Sequence, residues 1–284
     1  CLDVGCGPGF LVEDLARQMS AAAHEQGVVP SGSLMGLDCS ESMLKLAAQR
    51  LARARADLPE GVEWRLVKGE QEHLRGVESA TLDLLVFSQV LLYSHDLPQC
   101  LAEAFRVLKP GGRCVICDTD WDSLVVHTAD KARFERIRAM CTTTFVDGHV
   151  PTKLPGLLTS AGFEIVSCAT VPMMRAGYLD IDAGSFIGNW AFKVVQDKAK
   201  GHHIDKGDVD AVRTPFWGGN DAASHRHKPG RHQPGHRQPR HHQPRHHLQL
   251  KKFVTEMKEH AERGAFFGCV HRFLFLVRKP LRSS

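Results

Sequence analysis

No apolar run in this 284-residue chain approaches the roughly 18–20 residues that a membrane-spanning helix needs, so the sequence offers no membrane span. A disulfide scaffold is excluded as well. The nine cysteines are odd in number and scattered. They read as reduced, mostly buried thiols of an intracellular, cytoplasmic protein, and none of their spacings is read as a zinc site or any other metal site. Also lacking is the third glycine of a dinucleotide fingerprint. The chain opens CLDVGCGPGF, and counting from Gly5 and Gly7 the place that G-x-G-x-x-G reserves for glycine holds Phe10. That counts against an NAD-dependent oxidoreductase, the rival enzyme class for such a loop. No Met stands at the first position either, so the chain begins on a buried strand running straight into glycines.

Acidic residues are missing from one long stretch. Between Ala222 and Lys252 there are eight Lys/Arg and no Asp/Glu, so the formal net charge of +4 becomes −4 for the rest of the chain. The basic character belongs to that stretch alone, and no nucleic-acid partner is inferred from it, since no aromatic residues interleave its charges. From His225 to His247 the composition is His, Arg, Gln, Pro and Gly apart from Lys228, with Gln-Pro recurring at Gln233, Gln238 and Gln243. Such a segment cannot bury enough apolar surface to offset its ordering entropy, and 213–247 is expected to be a disordered low-complexity insertion.

Elsewhere the periodicity alternates between strand and helix. Leu2–Val4 reads as a strand, and Phe10, Leu11, Leu15 and Met19 as the face of a helix. SLMGLDCS gives a strand ending at Asp38. Ser40 then caps a helix whose Met43, Ala47 and Leu51 share a face with Leu44 and Ala48. GVEWRLVKG and LDLLVFSQV are strands three and four. A helix over 98–108, stopped by Pro110-Gly111-Gly112, precedes a fifth strand, RCVICDTD. A helix beyond Trp121, a strand GFEIVSCATV, a helix around 186–195 and a terminal strand CVHRFLFLVRKP complete the pattern. This is an α/β chain with a doubly wound, mostly parallel sheet. Gly5 to Gly9, Asp38, Glu70, Ser88 and Asp118 fall at or just after strand ends, which brings them to the edge where such sheets bind ligands.

Taken in order, LDVGCGPGF, GLDCSESML, GEQEHL, LDLLVFSQVLLY and FRVLKPGGRCVICDTDW resemble the class I S-adenosylmethionine-dependent methyltransferases, nearest to the ubiquinone- and menaquinone-biosynthesis-like (type 11) small-molecule branch. The resemblance implies a Rossmann-like sheet of seven strands with an antiparallel last strand, formed by 1–200 and 248–284 as one domain. It also implies a helix before the first strand, so Cys1 reads as an internal residue of an N-terminally truncated chain. S-adenosyl-L-methionine is the implied cofactor. Asp3, Gly5, Cys6 and Gly7 would hold its methionine part through backbone groups, and Asp38 would accept both ribose hydroxyls. Met43 would lie by the adenine, Glu70 with Gln71 would take the adenine amino group, and Ser88 and Gln89 would line the sulfonium end.

For the acceptor, the resemblance points to the turns after strands four and five. His95, Asp118 and Asp120 are the candidate proton-handling residues, with Tyr93 and Trp121 as pocket walls. The chain has neither the Asn/Asp-Pro-Pro-aromatic motif of amino-methylating nucleic-acid enzymes nor the Pro-Cys nucleophile of cytosine-C5 enzymes. The paired-Glu loop of protein arginine methyltransferases is missing too, which leaves a small-molecule acceptor. Arsenite methylation would need cooperating thiols among Cys39, Cys100 and Cys117. A silent binding module that keeps this fold without catalysis is the remaining alternative.

Overall fold

Glycine-bounded apolar runs become strands in the computed structural model of the chain, which describes residues 1–29, 31–55, 61–176 and 244–281. The strands are β1 (Leu2–Val4), β2 (Gly32–Asp38), β3 (Val62–Lys68), β4 (Leu82–Ser88), β5 (Leu108–Val126), β6 (Glu164–Ala176) and β7 (Phe267–Arg278). They form one seven-stranded sheet in the order β3-β2-β1-β4-β5-β7-β6. The first five pair in parallel, and β7 runs antiparallel to both β5 and β6. β1 is the short central strand, with Leu2 opposite Met35 on one side and Leu85 on the other. All three of its residues are buried, as a strand covered on both faces requires.

Six α-helices are described: α1 (Phe10–Glu25), α2 (Glu41–Ala54), α3 (Leu97–Val107), α4 (Lys131–Thr142), α5 (Val150–Ser160) and α6 (Pro244–Glu262). The buried seam of α1 is Val12, Ala16 and Ala23, with Leu15 and Met19 packed partly against it. Phe10, expected on that face, instead lies beneath the Arg50 guanidinium at 3.6 Å from its ring centre. In α2 the cap at Ser40 forms as expected, its hydroxyl accepting from Met43 N at 3.3 Å. Met43, Ala47 and Leu51 are buried, but Ala48 is exposed, lying just outside the apolar stripe.

Two expectations shift near Pro110. The helix α3 ends at Val107, and Pro110-Gly111-Gly112 form an irregular step inside β5: Leu82 pairs with Leu108, yet Leu84 pairs with Arg113. A Cβ on Gly112 would lie 2.9 Å from Lys109 O and 3.0 Å from Leu82 O, so only glycine fits the step. β5 also runs on through Trp121 to Val126 before α4 begins. Of the segment expected to be disordered, 244–247 are helical as the first turn of α6, and the rest lies outside the described residues. The helix expected around 186–195 lies outside them as well.

Three apolar clusters hold the sheet. Leu2, Leu85, Ile116 and Phe275 pack with α3 and α5 on one face. Val12, Leu34, Leu51 and Val62 join α1 and α2 to the other. Trp121, Phe134, Phe253 and Met257 gather α4 and α6 against the last residues of β5.

Candidate functional site

The chain reverses its winding between β1 and β4, the place in such a sheet where ligands bind outside the C-terminal strand ends. The glycine loop after β1 lies there. Gly5, Gly7 and Gly9 have φ of 70°, 52° and 80°, the left-handed region that favours glycine. Their surroundings differ. A Cβ on Gly5 would fall 2.4 Å from Val90 Cγ2, and one on Gly9 would meet Ala47 Cβ at 2.9 Å. A Cβ on Gly7 would meet nothing within 4 Å. Gly5 and Gly9 are therefore packing glycines, and Gly7 is where the loop faces open space.

The loop is tied to β2 through donors. Leu37 O accepts from Gly5 N at 2.6 Å and Cys6 N at 2.9 Å, and Asp38 Oδ2 accepts from Gly7 N at 2.8 Å. The other carboxylate oxygen, Oδ1, accepts from Ser40 N at 2.9 Å. Gly9 N also donates to Cys6 O at 3.0 Å and Gly9 O accepts from Glu13 N at 3.1 Å. With these N–H groups engaged and Pro8 having none, what the loop can still offer a ligand is mainly spare carbonyl lone pairs, which match an ammonium rather than a carboxylate. The Cys6 thiol turns inward, toward the space that the absent side chain of Gly36 leaves. Asp3, in the middle of β1, and Asp38, at the end of β2, are both buried.

The expected adenine side is less uniform. Met43 is buried on α2. Glu70 is exposed, in an isolated bridge with His73. Gln71 is buried, and in the amide orientation that satisfies both ends it donates to Val90 O and accepts from Ser94 N, each at 3.0 Å. Its side chain thus fastens the turn after β4 instead of sharing a task with Glu70.

At the end of β4, Ser88 pairs with Cys117, and Gln89 has φ 56°, unusual for a residue with a side chain. The strain is held by β5. Cys117 O accepts from Gln89 N at 2.8 Å and from Nε2 at 3.1 Å, while Gln89 Oε1 accepts from the Thr119 hydroxyl at 2.7 Å. Asp118 is fully buried and accepts from Leu91 N at 3.2 Å, fixing the 3-10 turn Leu91–Tyr93. It is a support for that turn rather than a group facing an acceptor. His95 is exposed, and its backbone N–H donates to Glu72 at 3.2 Å.

Asp120 and Trp121 are placed together with a histidine the sequence reading did not single out. His149 Nδ1 lies 3.4 Å from Asp120 Oδ1 and 3.2 Å from Asp122 Oδ2. Trp121 stacks on Phe145 at 5.1 Å between ring centres, and Phe145 meets Tyr93 edge-on at 5.6 Å. Trp121 N donates to Gly148 O at 3.0 Å, so the loop before α5 is anchored to β5 beside this aromatic group. The sequence signal was Asp147-Gly148-His149 just before an apolar helical run, where polar groups accumulate at a helix start.

The thiols do not converge. Cys39 is exposed, while Cys100 is buried and pushed up to about 12 by burial. Burial raises Cys117 too. Cys114 and Cys117 share a C-x-x-C spacing, but three residues apart on β5 they point to opposite faces. Among the described residues no group of three His, Cys, Asp or Glu is arranged to hold a metal.

Comparison with known proteins bears on this geometry. The profile of a methyltransferase domain family matches residues 1–164. A demethylmenaquinone methyltransferase of Lactococcus lactis is 32% identical over 126 residues, 44% of this chain and 44% of that protein. An arsenite methyltransferase of Halobacterium salinarum is 30% identical over 190 residues, 66% of this chain and 43% of that protein. The chain thus spans less than half the length of the curated relatives it matches. A solved Bacillus halodurans structure shows the same fold, with a TM-score of 0.52 at 14% identity over 98% of this chain and 91% of that one.

Proposed function

Because the chain belongs to the methyltransferase-domain family of class I S-adenosylmethionine-dependent proteins, we propose that it transfers a methyl group from S-adenosylmethionine to a small-molecule acceptor. The observation that carries this reading is the junction of Gly7 and Asp38 at the reversal of the sheet. A buried carboxylate ending β2 is bound to the one loop glycine that faces open space. The residues fit the donor. Loop carbonyls suit an ammonium, the open face at Gly7 admits close approach, and each Asp38 oxygen, beside the one backbone N–H it accepts, keeps a second lone pair for a hydroxyl. Met43 would border the adenine, and Ser88 with the strained Gln89 would border the sulfur.

When bound, S-adenosylmethionine supplies a methyl group already activated on a sulfonium. The chain's contribution is then alignment, and the strained end of β4 stapled to β5 provides a rigid wall against which an acceptor can be held. The acceptor would enter from the side of Tyr93, Asp120 and Trp121. The described residues include no helix long and apolar enough to cross a membrane.

Calorimetric titration with S-adenosylhomocysteine tests this, beside an NAD titration and the Asp38→Ala variant. Micromolar binding that Asp38→Ala weakens at least about tenfold, a loss of about 1.4 kcal/mol, is expected. Absence of binding by the folded chain would favour the silent module, and binding of NAD in its place would overturn the reading.

A further inference from the structure

We propose that His149 is the general base of the acceptor site and that the acceptor presents an un-ionised hydroxyl on a planar ring. The inference rests on the methyl-transfer reading and goes beyond it by naming the proton's destination. Two carboxylates face one ring nitrogen: Asp120 Oδ1 and Asp122 Oδ2 lie 3.4 and 3.2 Å from His149 Nδ1. A nitrogen so placed carries the proton and donates it to them. In neutral imidazole the other nitrogen, Nε2, then holds a lone pair on the far side of the ring. The His149 side chain is 38% exposed against 13% for Asp120, so the carboxylate sits inside and the imidazole lies toward solvent.

The neighbours set the acceptor's shape. Trp121 stacks on Phe145 and Phe145 meets Tyr93, and Tyr93 and Phe145 are only partly buried. The part-exposed edges of Tyr93 and Phe145, set at 60° to each other, give an apolar aromatic wall beside the His149 loop, against which a planar ring packs edge-on or offset, and the bond from Trp121 N to Gly148 O holds that loop in place. Charge sets its ionisation. Asp120, Asp122 and Asp147 surround His149, with Arg138 engaged by Asp122 and Lys153 by Asp147. An acceptor arriving as an anion would meet these carboxylates, whereas one that stays neutral until it reacts would not.

The step balances. The hydroxyl O–H bond breaks and its proton passes to His149 Nε2. The oxygen bonds to the methyl carbon, and the methyl–sulfur bond breaks with its electron pair left on sulfur. The imidazolium, paired with Asp120, returns the proton to water.

A purely structural His149, pinning α5 to β5, would behave differently, and paired probes separate the two. The full chain is assayed for methyl transfer to 2-naphthol and to 2-naphthylamine, which has the same shape, is neutral, and attacks through its lone pair before any proton is lost. His149→Gln is expected to slow naphthol methylation by about 100- to 10,000-fold and amine methylation by no more than about threefold, the residual amine activity also reporting that the variant is folded. Nitrogen NMR of wild type is expected to show neutral His149 protonated at Nδ1, with its resonances shifting when 2-naphthol is added. Protonation at Nε2, equal loss on both probes, or no turnover of naphthol by a chain that binds S-adenosylhomocysteine would overturn the inference. Failure to bind S-adenosylhomocysteine would remove the methyl-transfer reading instead. The NMR arm needs no cofactor and decides His149's tautomer and its contact with naphthol by itself.

Discussion

Asp38 and Gly7, 31 residues apart, are joined by a 2.8 Å hydrogen bond that ties the end of β2 to the loop after β1. The same carboxylate accepts from Ser40 N, so one buried side chain sets both the loop and the start of α2. Asp38→Ala is expected to destabilise the chain by about 2–3 kcal/mol, because two donors lose a charged acceptor at a buried position. Asp38→Asn, which keeps one acceptor oxygen, should lose about half of that. Urea denaturation of the three proteins checks it.

The glycines of the loop should separate stability from binding. Gly5→Ala meets Val90 at 2.4 Å in a left-handed conformation and is expected to cost about 2–4 kcal/mol. Gly7→Ala meets nothing within 4 Å and should cost only about 1–2 kcal/mol from the backbone. It should nevertheless weaken S-adenosylhomocysteine more than its small stability loss suggests. Thermal melts beside calorimetry distinguish the two variants.

Gln89 offers an inverted glycine test. Replacing it with alanine removes its side-chain bonds to Cys117 O and Thr119 while leaving the left-handed φ of 56°. Glycine removes the same bonds and relieves the conformation. Gln89→Gly should therefore be more stable than Gln89→Ala by about 1 kcal/mol, the reverse of the usual order in a regular element. Equal urea midpoints would show that the backbone there is not strained.

Glu256 on α6 accepts from Thr128 Oγ1 at 2.9 Å and Ala129 N at 2.6 Å, and it pairs with Arg133. Burial pushes its carboxyl up, but these donors outweigh burial and hold it below the usual range. A carboxyl lowered in the folded state stabilises fully above its unfolded value, near about pH 4.3, and loses that contribution as pH falls through the folded value. Wild type should exceed Glu256→Gln by about 2 kcal/mol at pH 7, with the gap closing below about pH 4.3. Urea midpoints across that range check the sign.

Thiol accessibility gives a direct readout of the packing. Cys39 and Cys168 are exposed, whereas Cys6, Cys100, Cys114 and Cys269 are buried. Iodoacetamide at neutral pH should label the first pair rapidly and the other four only on unfolding, since burial denies the reagent access to the sulfur. Cys39 adjoins Asp38, so S-adenosylhomocysteine should slow its labelling and leave Cys168 unaffected. Peptide mapping by mass spectrometry follows each site.

The inner strands were readable from sequence because burial on both faces demands near-continuous apolar runs, as in residues 84–87 of β4, and Ser40 because a cap needs a hydroxyl just before a helical stripe. The glycine loop was visible, but not the division of labour within it, which depends on Val90 and Ala47 packing from distant elements. The irregular step at Pro110–Gly112 looked like a helix stop because proline and glycine signal both. His95 stood out by its place after β4, yet it is exposed. His149 was hidden because its partners Asp120 and Asp122 lie on another element, and sequence spacing does not report that proximity. Asp118, chosen as a proton-handling residue, belongs to the support of a turn.

The position of β7 has a consequence for synthesis. β7 lies between β5 and β6 but is the last of the strands along the chain. While the chain emerges from the ribosome, β1 to β5 can assemble through parallel neighbours, but among the described residues β6 has no partner until Phe267–Arg278 follows. During that interval one side of β5 and the whole of β6 present unpaired edges, the condition that invites pairing between chains. A nascent chain arrested before Phe267 should therefore depend on chaperones and aggregate readily, although its glycine loop and Asp38 would already be in place.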